Sequence, residues 1–144
     1  MNYNAEPILH LARLIQGNAA SHAWLHKNNF PELILLHFAI EGNDQAMREL
    51  IRNKQVELAA FAQAILDDKQ AFNSLVKNKK IIWAATAKVA YKDRKAEAWL
   101  LRYNLPHYAE LGRAIRKNLE DQSGGDILGM MKKLIKVLKN PFGR

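Results

Sequence analysis

Four stretches of the chain align without a gap at a spacing of 25 residues, and this period constrains the fold more than any other feature of the sequence. The units lie at 6–29, 31–54, 56–79 and 81–104, with a half unit at 106–119. Leu25, Leu50, Leu75 and Leu100 form one column, and Ser21, Ala46, Ala71 and Ala96, all small, form a second. Ile15, Ile40, Ile65, Ala90 and Ile115 form a third, and Ile8, Leu33, Leu58, Trp83 and Tyr108 a fourth. A chain that reuses one apolar pattern builds one supersecondary unit several times. Such a unit buries its apolar face only against a neighbour.

Within a unit the spacing predicts a helical hairpin. Leu33, Leu36 and Ile40, like Leu58, Phe61 and Ile65, recur at helical intervals in the first half. The midpoints read Gly17-Asn18, Gly42-Asn43, Asp67-Asp68 and Lys92-Asp93. Glycine accepts the left-handed end of a first helix, and Asn or Asp then caps the second through its side-chain oxygen. Pro31 and Pro106 occupy equivalent first-turn positions, where a helix needs no donor. Helices of about 10 residues are marginal alone, so stacking has to stabilise them. Ala59, Ala60, Ala62 and Ala64, with Ala84, Ala85 and Ala87, let neighbours approach closely.

Over residues 6–119 this pattern resembles the α-solenoid class of ankyrin, HEAT and armadillo-type helical repeats. The period is shorter than the about 33 residues of ankyrin, and the Thr-Pro-Leu-His signature of that family is absent. The resemblance implies an all-α open stack of five helical layers that serves as a binding scaffold without chemistry of its own. The helical-repeat domain is expected over 1–120, a linker over 121–125 (Asp121-Gln122-Ser123-Gly124-Gly125), and a basic amphipathic helix and tail over 126–144. Ile127, Met130, Met131, Leu134, Ile135 and Leu138 share one face of that last helix, and Lys132, Lys133, Lys136 and Lys139 fall mostly on the other. It is expected to cap the open apolar end of the stack. A basic amphipathic helix also suits a partner's groove or an anionic membrane, with Met130, Met131, Lys132, Lys133 and Lys136 in contact.

The net charge of +8 is one-sided. Residues 1–75 hold 6 Lys/Arg and 8 Asp/Glu, whereas residues 76–144 hold 16 and 6. Lys27, Arg52, Lys77 and Arg102 recur at the 25-residue spacing near the end of each second helix, and Lys79 and Lys80 thicken the row. A ladder of cations can follow an anionic partner. Cations in a last helical turn also complement the helix dipole, and Asn28, Asn53 and Asn78 follow as capping residues, so both readings stay open. Lys92, Arg94, Lys95, Arg113, Arg116 and Lys117 add to the basic second half. Among the aromatics near these cations, Tyr108 belongs to a core column, and Trp99 stands in a mixed column that implies partial exposure.

With no cysteine, the chain has no disulfide, thiolate metal site or Cys nucleophile. His10, His22 and His26 sit close in sequence, but no Glu stands between the last two as a zinc protease motif requires, so no metal site is expected. No catalytic constellation, phosphate-cradling loop or cofactor motif is visible, and no enzyme activity or cofactor is expected. The N-terminal segment lacks a basic leader, and the apolar run Leu33–Ile40 is too short to span a bilayer, so a soluble cytoplasmic chain is expected. The expected function is a small scaffold, first for a protein partner, second for nucleic acid through the basic half, third for a membrane surface through the last helix. Protein binding requires an exposed apolar strip, and nucleic-acid binding requires one continuous field from the ladder and the cations of 88–117.

Overall fold

The computed structural model describes residues 2–124. Among them the chain is all-α, with no strand. Nine helices pack together: α1 (Ala5–Ile15), α2 (Ala19–Lys27), α3 (Pro31–Ile40), α4 (Asp44–Arg52), α5 (Val56–Ile65), α6 (Lys69–Lys77), α7 (Ile81–Ala90), α8 (Arg94–Arg102) and α9 (Pro106–Gly124). The starts of α3, α5, α7 and α9 are spaced by 25 residues, as the sequence predicts.

The mid-unit turns are built as their residues require. Gly17 and Gly42 have φ near +95° and +93°, and Asp67 and Lys92 adopt the same left-handed region at the equivalent places. The side chains of Asn18, Asn43, Asp68 and Asp93 then accept hydrogen bonds from the backbone N–H of Ser21, Ala46, Ala71 and Ala96. Each cap satisfies one of the donors that a helix start leaves open.

Burial divides the helices into two sets. The even-numbered helices α2, α4, α6 and α8 bury two residues each, the small one and the leucine of the first two columns. The odd-numbered helices α1, α3, α5 and α7 bury six or seven. The odd set is therefore the core, and each even helix lies against its own partner and the next odd helix. The fourth column fills the centre: Trp83 meets Phe61 at 4.8 Å and Tyr108 edge-on at 5.4 Å between ring centroids.

Two expectations are corrected. An open stack keeps its first and last helices apart, but here α9 packs along α1 as well as α7. The odd helices contact one another in the order α1, α3, α5, α7, α9 and back to α1, a closed cycle. The Tyr108 hydroxyl accepts from the Tyr3 N–H at 2.9 Å, and Asn118 Nδ2 donates to the Ile15 carbonyl at 3.2 Å, so the closure is hydrogen-bonded at both ends. The linker expected from 121 is, as far as Gly124, helix α9. The fifth unit has Lys117 where others have Gly or a left-handed residue. Asn118, in the capping column, ties α9 to the last turn of α1 instead of starting a new helix. Leu119 packs on the core and Lys92 pairs with Glu120 at 2.9 Å, carrying the helix onward. The expected amphipathic helix of 126–144, with Met130, Met131, Lys132, Lys133 and Lys136, lies outside the described residues.

Candidate docking rim

Because odd and even helices alternate in direction, the starts of the odd helices and the ends of the even helices share one end of the molecule. The turns at 28–30, 53–55, 78–80 and 103–105 all lie there. Lys27, Arg52, Lys77 and Arg102 occupy the last turns of α2, α4, α6 and α8. All four are exposed, as are Lys54 and Lys79 in the turns that follow. No ion pair or side-chain hydrogen bond among the described residues engages any of these six. The even helices that carry these cations pack on the odd helices and not on one another, so an odd helix stands between successive cations.

The remaining sequence-predicted cations do not join this row. Lys80 shares the rim but pairs with Glu57 at 3.2 Å. Lys92, Arg94 and Lys95 belong to the turn and first helical turn between α7 and α8, at the opposite end, about 15 Å away along a ten-residue helix. Lys92 is held by Glu120. Arg113 on α9 is gripped by Glu97 and lies 3.7 Å from Glu110. Arg116 and Lys117 stand further along α9. Among the described residues these cations therefore fall into three groups, and each contains one that is paired with an acid: Lys80, Lys92 and Arg113.

Sequence reasoning missed the apolar half of the rim. Ile51, Val76 and Leu101, each preceding a ladder cation, are exposed, Ile51 by 52%. Val56 and Ile81, the first residues of α5 and α7, are exposed too, Val56 by 66%, and Pro31 and Pro106 hold the equivalent positions. Both columns carry the 25-residue period, so the signal was present. Apolar residues at a helical period read as core, and exposure at a helix end follows only from the three-dimensional arrangement. Exposed apolar side chains are not confined to the rim, since Phe38, Leu66 and Tyr91 are exposed at the opposite end, but at the rim Ile51, Val76 and Leu101 each stand beside a cation.

Of the aromatics near the rim, Tyr103 is exposed and the others are held by neighbours. Tyr3 lies over Phe30 and Trp83, with its hydroxyl donating to Glu32 at 2.8 Å. Burial first, and the Glu32 carboxylate next, push that phenol far above the usual tyrosine range. Trp83 Nε1 donates to Glu57 at 3.1 Å. Trp24 stacks between His10 and Phe30, and His10 Nδ1 lies 3.0 Å from Ser21 Oγ. Trp99 is half-buried against Tyr103, which is exposed.

Among the described residues no three His, Asp or Glu side chains converge as a metal set, and no helix is long and apolar enough to cross a membrane. Of the concavities, one of about 650 Å³ opens on the rim between the start of α5 and the end of α6. Another, of about 450 Å³, lies at the opposite end beside His37, Glu41 and Lys117. No protein-family model, no curated protein and no solved structure matches this chain.

Proposed function

We propose that this chain is a small helical-hairpin scaffold of the α-solenoid kind, with its ends brought together, and that it binds another protein through the rim. The observation that carries the reading is the pairing, at every second-helix end from α4 to α8, of an exposed aliphatic residue with an unpaired cation: Ile51-Arg52, Val76-Lys77 and Leu101-Arg102. Apolar anchors beside charges are the composition of a protein docking surface. Catalysis is not part of the reading, because the rim offers no convergent set of acid, base and nucleophile.

A second reading, nucleic-acid binding, is favoured by the cation row alone. Beside Arg52 and Lys77 the exposed apolar neighbours are aliphatic and do not stack on bases, Tyr103 beside Arg102 is the exposed aromatic of the row, and the 92–117 cations stand apart from it.

Photo-crosslinking in the native cell tests the first reading. A photoreactive side chain at Val76 or Leu101 is expected to give discrete protein adducts, and one at Lys95 none. Equal adducts at both ends, or nucleic acid as the rim adduct, would refute it.

A further inference from the structure

Three lysines adopt a left-handed backbone conformation, Lys54 and Lys79 on the rim and Lys92 at the opposite end. The residue after each even-helix C-cap takes a left-handed conformation, with φ between +61° and +66°. Units one and four place Asn29 and Asn104 there, and asparagine tolerates this region. Units two and three place Lys54 and Lys79, for which the conformation is strained. Neither lysine gains a partner among the described residues that would offset the strain. Lys92 shares the strain but pairs with Glu120, so among the described residues only Lys54 and Lys79 combine it with an unpaired charge.

Both lysines flank the 650 Å³ concavity. Lys54 lines it, and Lys79 lies in the turn between its wall residues Asn78 and Lys80. Its lining is mixed: Val56 is exposed at its edge, Leu58 and Leu75 lie buried beneath, and Gln55, Glu57, Ser74 and Asn78 are polar. Ile51 and Val76 stand exposed on the helix ends beside it. Glu57 is engaged by Trp83 and Lys80, so local acids do not neutralise Lys54 and Lys79.

The geometry points to one occupant: an acidic segment of a partner protein that sets an aliphatic side chain into this concavity, with its carboxylates on Lys54, Lys79 and the neighbouring Arg52 and Lys77. This rests on the docking function proposed above and names the chemistry of the partner. Charge complementarity selects the acid, since Lys54 on the lining and Arg52, Lys77 and Lys79 close to it in the chain carry no ion pair among the described residues. The exposed Val56 at its edge selects an anchor side chain. A flat anionic membrane fits less well, because a flat surface does not enter an inward concavity.

The test is selection of a displayed random-peptide library on the full chain, in parallel with K54N/K79N and Val56→Asp. The Asn variant gives units two and three the residue type of units one and four, so it is expected to fold at least as well as the native chain. Circular dichroism melts check this for both variants. Peptides enriched on the native chain are expected to carry an excess of Asp and Glu around Leu, Ile or Val. Their affinity, read by fluorescence anisotropy, is expected to fall about tenfold or more on K54N/K79N and on Val56→Asp. Enriched peptides that lack acidic excess and ignore K54N/K79N but are lost on Val56→Asp overturn the acidic partner while leaving rim docking intact. Enrichment indifferent to both variants, or none at all, overturns both. Phosphatidylserine vesicles or single-stranded RNA that bind the native chain and displace the peptides, with loss on K54N/K79N, assign the lysines to that ligand and overturn the proposal.

Discussion

Gly112 sets how closely α9 approaches α7. A Cβ there would stand 2.6 Å from Val89 Cβ and 2.9 Å from the Thr86 carbonyl oxygen. Alanine ordinarily stabilises a helix interior by about 0.5–1 kcal/mol over glycine, but overpacking costs about 1–3 kcal/mol. Gly112→Ala is therefore expected to lower the urea midpoint, and a raised midpoint would mean that α7 and α9 have slack. The same column holds Ala12, Ala62 and Ala87, and in unit two His37, which is buried with Nδ1 unpartnered. Burial pushes this imidazole below the usual histidine range, His22 adds to that, and Glu41 opposes it. Because the folded value lies below the unfolded one of about 6.5, the unfolded chain binds the proton first as pH falls. Stability is thus full above about pH 6.5 and is lost as pH drops through the folded value. His37→Gln is expected to reduce the fall in Tm between about pH 7.5 and about pH 5.5, and an unchanged fall would assign the effect elsewhere, for instance to His10 or His107, which burial shifts the same way. At this scale the columns of the sequence named the core correctly, Tyr108 included. They did not reveal which helix-end aliphatics stay exposed, because a one-dimensional period does not distinguish the inner side of a helix from its tip.

The elements were legible because each boundary has local chemistry. Four Asn or Asp caps start the even helices. Replacing Asn43 or Asp68 by Ala is expected to destabilise by about 0.5–2 kcal/mol each, close to additively in the double variant, as read by urea unfolding. Strong coupling between them would mean that the hairpins shift together when one frays. The exception was α9. Its sequence carries the asparagine of the capping column and a Ser-Gly-Gly run, and local rules therefore ended a helix there. Asn118 instead satisfies a carbonyl at the end of α1, a partner more than 100 residues away that no local pattern encodes. For the same reason the rim was half legible: its cations recur in the sequence, but their separation from Lys92, Arg94 and Lys95 depends on which end of a hairpin each occupies.

Closure makes stability a property of the whole cycle. In an open array each unit depends on its neighbours alone, and ends fray independently. Here α1 and α9 lose a packing partner if either detaches. Leu111→Ala, in the buried face of α9, is expected to raise amide hydrogen exchange in α1 as well as in α9, while α4 and α5 respond less. An increase confined to α9 would show that α1 stands without it.

The contact between α1 and α9 also bears on how a chain of this kind changes over generations. Open arrays gain or lose a hairpin at little geometric penalty, because the new end resembles the old one. Here an inserted or deleted hairpin would separate Tyr3 from Tyr108 and Asn118 from Ile15, and the two ends would no longer meet. The closed cycle thereby ties the fold to its number of units. Under the docking function proposed above, variation in partner choice would come from substitutions on the rim rather than from altered length.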